Sequence, residues 1–573
     1  MIAAAPHRGR RGATLVHGRC ALSCSNPADM ADAVIGQFDG IAAAFVGTLD
    51  NVEDVAADIR REGIHIPDNS VGTVVAASFR AYGEEMPARF RGVFAGAVTD
   101  GERVYCFRDH IGYRPLFYRS DARGFVGATE AKQVVAGAQI PREPDLDVVE
   151  KIFFRDLDDD TPCALKGVRR LPKSTGIMAE GTGVRLHRYW QPESLLETAT
   201  FTADELQGRF DQLMDQAVAR CLTGADVLSL SGGIDSPAIA AFAAPRHREL
   251  WGRPLHALSV VYPRYPSVDE SRYIELLASY FAIPLHTYEQ TANAIAGLDR
   301  WVRLTDSPYP AAALAQYEED YRRARALGFR TILTGEHAEF VASMQWYVLD
   351  HLLTHRRFRA VWRELSVRRV KGDSWWSIGR RVARSLAPDA VMTARNAMGP
   401  PALPTLPAWI DGRRVASRGS VPVRERWRRL QLTGFVGPGI SLEAEEVCQA
   451  VTGVQSRKPW TDIDLWEFFL SLPAEQKFPD DRSKGLVRNL LRGRVPDEIL
   501  DRSDKTVFDE AALAEVDYAA LRRLLIGTQH RIAGVDYGLL NERLQAEDLR
   551  TVEYSWARNL ASVHAFLSQW EDR

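Results

Sequence analysis

Lysine is scarce in this sequence, and long apolar runs are absent. The 573 residues include only nine lysines, although lysine and arginine together number 72. The formal net charge is −3, so no overall positive field favours nucleic acid as a partner. A membrane-spanning helix would need a run of about 18 apolar residues, which the sequence lacks. We therefore expect neither nucleic acid nor a membrane as a partner.

Cysteine is also sparse, with six residues spread over the whole chain. Cys20 and Cys24 have no second cysteine or histidine pair nearby, so they do not form a recognisable zinc motif. A disulfide framework is not expected either, which favours a reducing, cytoplasmic location. The first residues, MIAAAPHRGRRG, lack the apolar core of a secretory signal.

The sequence pattern predicts two domains, with a boundary near residue 200. Residues 40–135 alternate short apolar runs with Gly, Asp and Asn turns, which indicates a β-rich layered domain. Two segments in this region, NVEDVAADIRREG and VGTVVAASFRAYG, have apolar residues at helical spacing and predict two helices. Residues 164–190 look like two short hairpins that close the domain. The predicted domains are therefore 1–200 and 201–573.

The second domain shows a different pattern, in which strands alternate with helices. DVLSL, HALSVV, PLHTYEQ and TILTGE read as strands, and amphipathic or apolar helices separate them. This alternation predicts an α/β fold with a parallel, doubly wound sheet. Residues 340–573 read as mostly helical, so we expect a helical C-terminal lobe.

One glycine-containing loop has the composition of an anion-binding site. The string SGGIDS, residues 231–236, follows the first of these strands and opens an apolar helix. Glycines let backbone N–H groups approach phosphate oxygens, and a helix N-terminus adds partial positive charge. Asp235 fits beside a phosphate if Mg²⁺ lies between them. The predicted phosphate-binding residues are Ser231, Gly232, Gly233 and Ser236. The loop is not a Walker A motif, because it lacks the GxxxxGK[ST] spacing.

Two motifs carry a resemblance to a known family. SGGIDS resembles the pyrophosphate loop of the N-type ATP pyrophosphatases, which cleave ATP between the α and β phosphates. RDHIGYRPLFY, residues 108–118, resembles the string RDxxGxRPLYY of the asparagine synthetase family. The resemblance implies an N-terminal Ntn-hydrolase-like αββα glutaminase-type domain, followed by an adenine-nucleotide alpha-hydrolase-like synthetase domain. It also implies ATP and Mg²⁺ as cofactors, and a homodimer as a possible assembly.

The resemblance extends to the loop after a later strand. The family carries GExxDE there, and this chain reads GEHAEF at 335–340. Glu336 matches the family glutamate, which implies a general base near the attacking amine. Glu339 stands where the family has the second Mg²⁺ carboxylate, an Asp, and Phe340 replaces the next acidic residue. Two solvated loop carboxylates are the alternative to these roles. The predicted nucleotide-binding set is completed by Ser229, Ser259 and Gly335.

Lysines and arginines near the C-terminal end are candidates for phosphate contacts. Lys505, in DRSDKTVF, matches the family lysine whose implied role is to stabilise charge on the α-phosphate and acyl oxygens. A surface salt bridge is the alternative. Lys484 and Arg488 fit a solvated face or a phosphate contact equally well. Upstream, RKPWTDIDLWEFFLSLP resembles a family segment, and we interpret its apolar positions as a core helix that supports the site.

The first domain departs from the pattern of glutamine-dependent family members. Those members begin Met-Cys-Gly, and the cysteine attacks glutamine with its own α-amine as base. This chain begins Met-Ile-Ala, and Val46 and Thr48 stand where the family has the asparagine and glutamate of FNGE. A structural remnant and a misplaced start codon both remain open, and Val46 and Thr48 favour the remnant.

A stretch rich in arginine and tryptophan begins at Leu352. Its helical spacing predicts a basic-faced helical lobe with aromatic core contacts. The alternative is a surface that holds an acidic or peptidic substrate.

The expected reaction joins a carboxylate to an amine at the cost of ATP. The carboxylate forms an acyl-adenylate with release of pyrophosphate, and an amine then displaces AMP. Aspartate with ammonia or an amine is the family default. An intramolecular amide synthetase of the β-lactam or lasso-peptide kind is the first alternative, with a small-molecule or peptide carboxylate as partner. A non-catalytic binding protein is the second.

Overall fold

The computed structural model describes residues 1–9, 12–27, 30, 32–155, 161–308, 314–343, 345–370, 374–386, 406–415, 422–432, 440–480, 482–502 and 509–570. The strands of this part of the chain are β1 Gly12–His17, β2 Cys20–Ser25, β3 Ala33–Phe38, β4 Ile41–Leu49, β5 Gly92–Thr99, β6 Arg103–Arg108, β7 Phe117–Asp121, β8 Gly124–Ala128, β9 Arg169–Arg170, β10 Thr175–Glu180, β11 Gly183–Arg188, β12 Asp226–Ser229, β13 His256–Val261, β14 Leu285–Glu289, β15 Thr331–Leu333 and β16 Gln455–Arg457.

The helices of the same part are α1 Val52–Arg61, α2 Val71–Tyr82, α3 Ala131–Ala138, α4 Leu146–Phe153, α5 Ala203–Cys221, α6 Asp235–Trp251, α7 Ser271–Tyr280, α8 Leu298–Thr305, α9 Leu314–Ala326, α10 Ala338–Ala342, α11 Val348–Thr354, α12 Phe358–Val370, α13 Trp375–Leu386, α14 Val423–Gln431, α15 Ile440–Thr452, α16 Ile463–Ser471, α17 Ala474–Lys477, α18 Gly485–Leu490, α19 Asp497–Leu500, α20 Asp509–Ala514, α21 Tyr518–Ile526, α22 Tyr537–Gln545 and α23 Thr551–Leu567.

The first part of the chain contains a two-stranded antiparallel sheet, β1-β2, and two larger antiparallel sheets that lie between helices. The larger sheet has the order β11-β10-β6-β5-β4-β3, and the smaller one the order β8-β7-β9. Helix α2 packs on β3 and β4, and α3 packs on β7 and β8. Ala95, Cys106, Leu116 and Ile177 belong to one apolar cluster that lies between the sheets. This αββα arrangement confirms the fold predicted for the N-terminal domain.

Both helices predicted from apolar spacing are present as α1 and α2. The prediction of two hairpins in residues 164–190 is wrong in one part. Strands β10 and β11 do form a hairpin, but β9 pairs with β7. The reason is a set of contacts distant in sequence: Leu171 donates its backbone N–H to the carbonyl of Leu116 at 2.7 Å. In addition, the Arg170 guanidinium binds the carboxylate of Glu443. A local pattern does not reveal such contacts.

The sheet of the second domain is parallel, as predicted, with the order β14-β13-β12-β15-β16. The chain runs outward from β12 to β14 and then returns to β15 on the other side of β12. Strand order therefore reverses beside β12, and ligands of such sheets bind at the carboxyl ends of the strands at this point. The loops after β12 and β15 frame that crevice. Strand β16 lies in the region predicted to be mostly helical, and its three residues are too few for a periodic signal.

Helices cover both faces of the parallel sheet. Leu228 and Leu333 are buried in one cluster with residues of α5, α6 and α16, and Val227 and Ile332 in another with α9 and α15. Burial on both faces explains why these strands read as continuous apolar runs. Helix α5 begins with a capping box, in which Thr202 and Glu205 satisfy each other's backbone N–H groups.

The last helices pack against the first domain. Leu521, Leu540 and Leu560 belong to one buried cluster with Val134 of α3 and Val149 of α4. The C-terminal residues therefore complete an apolar core that begins in the N-terminal domain. Among the described residues, no helix combines the length and apolarity needed to cross a bilayer.

The prediction of an aromatic core in the basic lobe is wrong. Helices α12 and α13 are present, but Phe358, Trp362, Trp375 and Trp376 are exposed by 58–74%. Smaller apolar side chains such as Ile378 are buried instead. Helical spacing identified the helices, but the buried face is set by neighbouring helices that spacing does not specify.

Candidate active site

The glycine loop connects β12 to α6 at the point where strand order reverses. The Ser236 hydroxyl accepts the backbone N–H of Ser231 at 2.9 Å and lies 3.1 Å from the Ser231 hydroxyl. Gly232 donates its N–H to the Glu270 carboxylate at 3.0 Å. The two serines therefore close the loop on itself, and Glu270 holds it from the outside.

The glycines of this region differ in what they allow. A Cβ on Gly232 would lie 2.9 Å from the Cβ of Tyr273, and one on Gly335 would lie 2.7 Å from the backbone nitrogen of Ser236. Packing within the chain requires glycine at both positions. A Cβ on Gly233 would meet only the Ser231 hydroxyl, at 3.5 Å. Packing does not require glycine at 233, so the close approach of a ligand is the better explanation for it.

Two carboxylates lie at the mouth of the loop. Asp235 begins α6, and both of its oxygens accept hydrogen bonds from the Lys484 ammonium group. The Glu339 side chain is exposed, yet desolvation by the cleft walls and the nearby Asp235 carboxylate raise its pKa. Desolvation is the larger cause and the Asp235 carboxylate adds to it, so a cation bound between the two carboxylates would favour the charged form of Glu339.

These carboxylates fit a magnesium ion bound together with phosphates. Mg²⁺ in such sites takes one or two carboxylates and completes its shell with water and phosphate oxygens. Asp235 already holds one cation, the Lys484 ammonium. The described residues contain no group of three or more metal-ligating side chains, so Asp235 and Glu339 would hold Mg²⁺ only with the help of substrate oxygens.

The loop after β15 places Glu336 beside the glycine loop. Gly335 lies against the first turn of α6. The Tyr317 hydroxyl of α9 donates to Glu336 Oε1 at 2.5 Å, and the Lys458 ammonium donates to Oε2. The Glu336 side chain keeps 32% of its surface exposed, so it still faces the cleft. It is not the fully solvated loop carboxylate of the alternative interpretation.

Lys458 follows β16 and is buried between two carboxylates. Its ammonium group donates to Glu336 and, at 2.8 Å, to Glu445 Oε1 of α15. Burial would raise the pKa of Glu336, but the Lys458 charge outweighs it and holds this pKa below its ordinary value. Glu336 is therefore ionised at neutral pH. The ring of Tyr113, from the first domain, lies 5.6 Å from the ammonium nitrogen.

Arginines hold the segment that leads towards position 505. Arg502 donates to the carbonyl of Gly232 at 3.0 Å and to Glu270 at 2.9 Å. Arg488 donates to the carbonyls of Leu500 and Arg502, at 2.6 and 3.0 Å, so its side chain supports this segment. Lys505 itself lies outside the described residues, and its role stays a prediction.

The two strand serines have different positions. Ser229 ends β12, where its side chain is partly exposed. Ser259 is buried on β13, and its hydroxyl donates to the carbonyl of Leu230 at 2.7 Å. That bond supports the start of the glycine loop, and the role of Ser259 in nucleotide binding stays a prediction.

Sequence reasoning missed Lys458 and Glu445. Lys458 lies in the segment that we interpreted as core, and it is 4% exposed. One signal was available, because Lys458 is one of only nine lysines and directly precedes the segment whose apolar positions are predicted to be buried, where a lysine needs a polar partner. Glu445 gave no comparable signal, because charged residues are common on helices.

Comparison with known proteins assigns this chain to a family. The glutamine amidotransferase domain family matches residues 9–190, and the asparagine synthase family matches residues 209–571. The second match covers more than half of the chain. The chain belongs to the asparagine synthase family. Enzymes of this family are ATP-dependent carbon–nitrogen ligases, and this chain is an enzyme of that class.

Several known proteins are similar to this chain over different lengths. Asparagine synthetase [glutamine-hydrolyzing] 3 of Bacillus subtilis is 26% identical over 81% of this chain and 75% of its own length. A putative asparagine synthetase [glutamine-hydrolyzing] of Mycobacterium tuberculosis is 26% identical over 81% and 74%. Carboxyethyl-arginine beta-lactam-synthase of Streptomyces clavuligerus is 34% identical, over 26% of this chain and 28% of its own.

The amidotransferase-type domain of this family member has a cavity of about 660 Å³ beside its sheets. Three cysteines line it, Cys20 and Cys24 on β2 and Cys106 on β6. Each is inside a strand, so none carries the free α-amine that serves as base in an N-terminal cysteine. Val46 also lines the cavity and has no side-chain donor. Burial raises the pKa of Cys106 to about 12, which keeps this thiol protonated.

A separate groove of about 510 Å³ lies in the helical lobe, and none of the described candidate site residues lines it. Its walls include Gln345 and Trp346, which follow α10, and Asp480, which packs against Gly485 next to Lys484. Arg380 of α13 lines the opposite side. A volume of this size is typical of pockets that bind molecules larger than a single small amino acid.

Proposed function

We propose that this ligase activates a carboxylate with ATP and transfers the acyl group to an amine. In the first step a carboxylate oxygen attacks the α-phosphorus of ATP, and pyrophosphate leaves with the electron pair of the broken bond. In the second step the amine nitrogen attacks the acyl carbon, AMP leaves, and the amine loses a proton. The products are an amide, AMP and pyrophosphate.

One observation carries the proposal. The glycine loop and the loop of Glu336 meet at the point of strand reversal, where Gly335 lies against Ser236 and Asp235. Groups suited to a leaving pyrophosphate and a carboxylate suited to an amine therefore face one crevice. Ser231, Gly233 and the first turn of α6 would bind pyrophosphate.

The remaining roles follow from charge. Mg²⁺, when bound by Asp235 and Glu339, would neutralise the phosphates. Lys484 would exchange its contact with Asp235 for a phosphate oxygen when nucleotide binds. Glu336, ionised and partly exposed, would receive the proton of the attacking amine or hold that amine in line. Lys505 would stabilise charge on the α-phosphate, as the family resemblance implies.

The nitrogen donor is free ammonia or a substrate amine. Val46 lines the cavity of the first domain and has no side-chain donor for the oxyanion that forms during glutamine hydrolysis, and this favours ammonia or a substrate amine over glutamine. Aspartate as the acid and ammonia as the amine is the first candidate pair, by analogy with the synthetases that match most of this chain.

A second candidate is intramolecular amide formation on a peptide or a modified amino acid. The groove between α11 and α13 favours it, because its lining begins at Gln345, shortly after the loop of Glu336, and its volume of about 510 Å³ accommodates a substrate larger than a free amino acid. The partial similarity to a beta-lactam synthase points in the same direction. In this case the acid and the amine belong to one molecule.

ATP–pyrophosphate exchange tests the proposal directly. The purified chain is offered aspartate, carboxyethyl amino acids and peptide carboxylates, each with ATP and Mg²⁺. We expect exchange with at least one acid, and a loss of about 100-fold or more in Asp235→Asn, since electrostatic stabilisation of phosphate charge has this magnitude.

The matched control is Glu249→Gln, which changes an exposed carboxylate on the same helix, paired with Arg246 at 3.3 Å. Its exchange rate should equal that of the unchanged chain. Failure of every acid, or equal rates in Asp235→Asn and the unchanged chain, would remove the ligase mechanism proposed here. Aspartate and peptide acids as rival substrates separate the two candidate functions.

A further inference from the structure

Helix α15 carries three buried glutamates that point to two different domains. Glu443 accepts from Arg170 at 2.5 and 3.0 Å. Glu446 accepts from Arg8 at 2.6 Å and also from Arg114. Both arginine groups belong to the first domain. These two glutamates therefore fix one face of α15 to the amidotransferase-type domain.

The third glutamate faces the synthetase site. Glu445 accepts from Tyr321 at 2.6 Å and from Lys458 at 2.8 Å. The side chains of Glu445 and Lys458 are 2% and 1% exposed, so no solvent screens their pairing. Lys458 in turn donates to Glu336. A continuous series of contacts therefore connects α15 to the Glu336 carboxylate in the cleft.

In the first domain, hydrogen bonds hold Arg114 and the turn that carries it. Arg114 is held by Asp32 at 2.6 Å in addition to Glu446. Asp109 accepts the backbone N–H groups of Tyr113 and Arg114 at 2.9 and 2.8 Å, which fixes the turn that carries both. Tyr113 then reaches the Lys458 ammonium across the domain boundary.

We propose that the amidotransferase-type domain positions Glu336, through α15 and the buried Lys458, for the amine-transfer step. Lys458 is a positioning residue, because it acts on the substrate through Glu336. The inference rests on the proposed function, in which Glu336 meets the amine. It assigns a task to a domain whose cavity lacks a suitable nucleophile among the described residues.

The two half-reactions separate this task from general support of the fold. Glu336 takes part in amine transfer, whereas exchange measures adenylation alone. In Lys458→Met, which keeps most of the unbranched side chain and removes its charge, exchange should stay within about two-fold. Amine transfer should fall by about 100-fold, because displacing a reacting group by about 1 Å lowers a rate by about this factor.

Two further variants complete the test. Lys458→Met leaves Glu336 and Glu445 as neighbouring carboxylates without a cation, so adding Glu445→Gln should restore part of the lost transfer rate. Glu446→Gln weakens the hold of the first domain on α15 and should lower transfer selectively, by a smaller factor. The matched control is Glu467→Gln, because Glu467 also bridges the domains, through Trp190 at 2.8 Å, but does not touch α15 or Lys458.

Two outcomes would overturn the inference alone: exchange and transfer falling together in Lys458→Met, or transfer unchanged in Lys458→Met and Glu446→Gln. Absence of exchange in the unchanged chain would instead overturn the proposed function, and this inference with it. Thermal melting of each variant identifies any loss of fold.

Discussion

The two halves of this chain differ in which parts of an enzyme they contain. The synthetase half presents a closed glycine loop, two carboxylates at its mouth and a third, Glu336, across the crevice. The amidotransferase-type half presents a cavity whose cysteines lie inside strands. Three of its buried arginines, Arg8, Arg114 and Arg170, instead bind glutamates of α15. The described part of this domain therefore contains polar groups that hold an interface, and the cysteines that line its cavity all lie inside strands.

The RDHIGYRPLFY motif illustrates this difference. The Arg108 guanidinium is fully buried and donates to the carbonyls of Arg114 and Leu171, both at 2.7 Å. Asp109 fixes the same turn through backbone N–H groups. Every one of these bonds is structural, and Arg114 extends the network to Glu446. A motif that identifies the family therefore serves here to join two domains.

The largest expected effect contrasts the two halves by their nitrogen source. With ATP, Mg²⁺ and the accepted acid, glutamine alone should give no amide and no glutamate, whereas ammonium or the substrate amine should give product. Chromatographic measurement of glutamate and amide checks this. Glutamate formed in step with amide would contradict the comparison, because it would show a working glutaminase.

A smaller effect is expected from the glycine loop. Gly233→Ala should fold normally, because a Cβ there meets only the Ser231 hydroxyl at 3.5 Å. Its kcat/KM for ATP should fall by about 100-fold, since a methyl group would block the approach of phosphate to the loop. Gly208→Ala is the control, because nothing lies within 4 Å of a Cβ at that helical position. Unchanged kinetics in Gly233→Ala would mean that the loop does not bind the nucleotide closely.

The smallest effect concerns a second buried lysine in the synthetase half. Lys477 is 2% exposed, and burial lowers its pKa from 10.5 to about 7, whereas Lys458 has two carboxylate partners. At pH values between about 7 and 10.5, Lys477 is protonated in the unfolded chain and largely neutral in the folded chain. Folding stability should therefore rise with pH across this window.

Replacing Lys477 with an uncharged residue should remove the free-energy penalty of burying its amine. Lys477→Met should raise the free energy of unfolding at pH 7 by about 1–4 kcal/mol, since each pKa unit corresponds to ~1.4 kcal/mol. The gain should shrink as pH rises towards 10. Urea unfolding at several pH values measures it, with the exposed Lys166→Met as control. A gain that does not depend on pH would assign the effect to packing and not to charge.

Much of the fold could be predicted because it depends on local patterns. Apolar spacing gave helices α1, α2 and α5, and the alternation of strands with helices gave the parallel sheet. Strand β16 and the pairing of β9 could not be predicted, because both are short and depend on distant partners. The exposure of the tryptophans of α12 and α13 could not be predicted for the same reason, because helical spacing does not show which face of a helix packs against its neighbours.

The candidate site divides in a similar way. The residues of the glycine loop, Gly335 and Glu336 come together in the structure, because each ends a strand of one sheet. Lys458 and Glu445 stayed hidden, since their pairing joins β16 to α15 across buried space. The boundary at residue 200, the assembly state and the role of Lys505 remain predictions.

The packing of the last helices on α3 and α4 has a consequence for biosynthesis. The apolar side of the amidotransferase-type domain is covered by residues that leave the ribosome hundreds of codons later. Until Leu521, Leu540 and Leu560 arrive, that side has no cover, and exposed apolar surface on a nascent chain favours aggregation. Production of this enzyme should therefore depend on chaperones, and a nonsense mutation near the 3′ end of its gene should harm both halves of the protein.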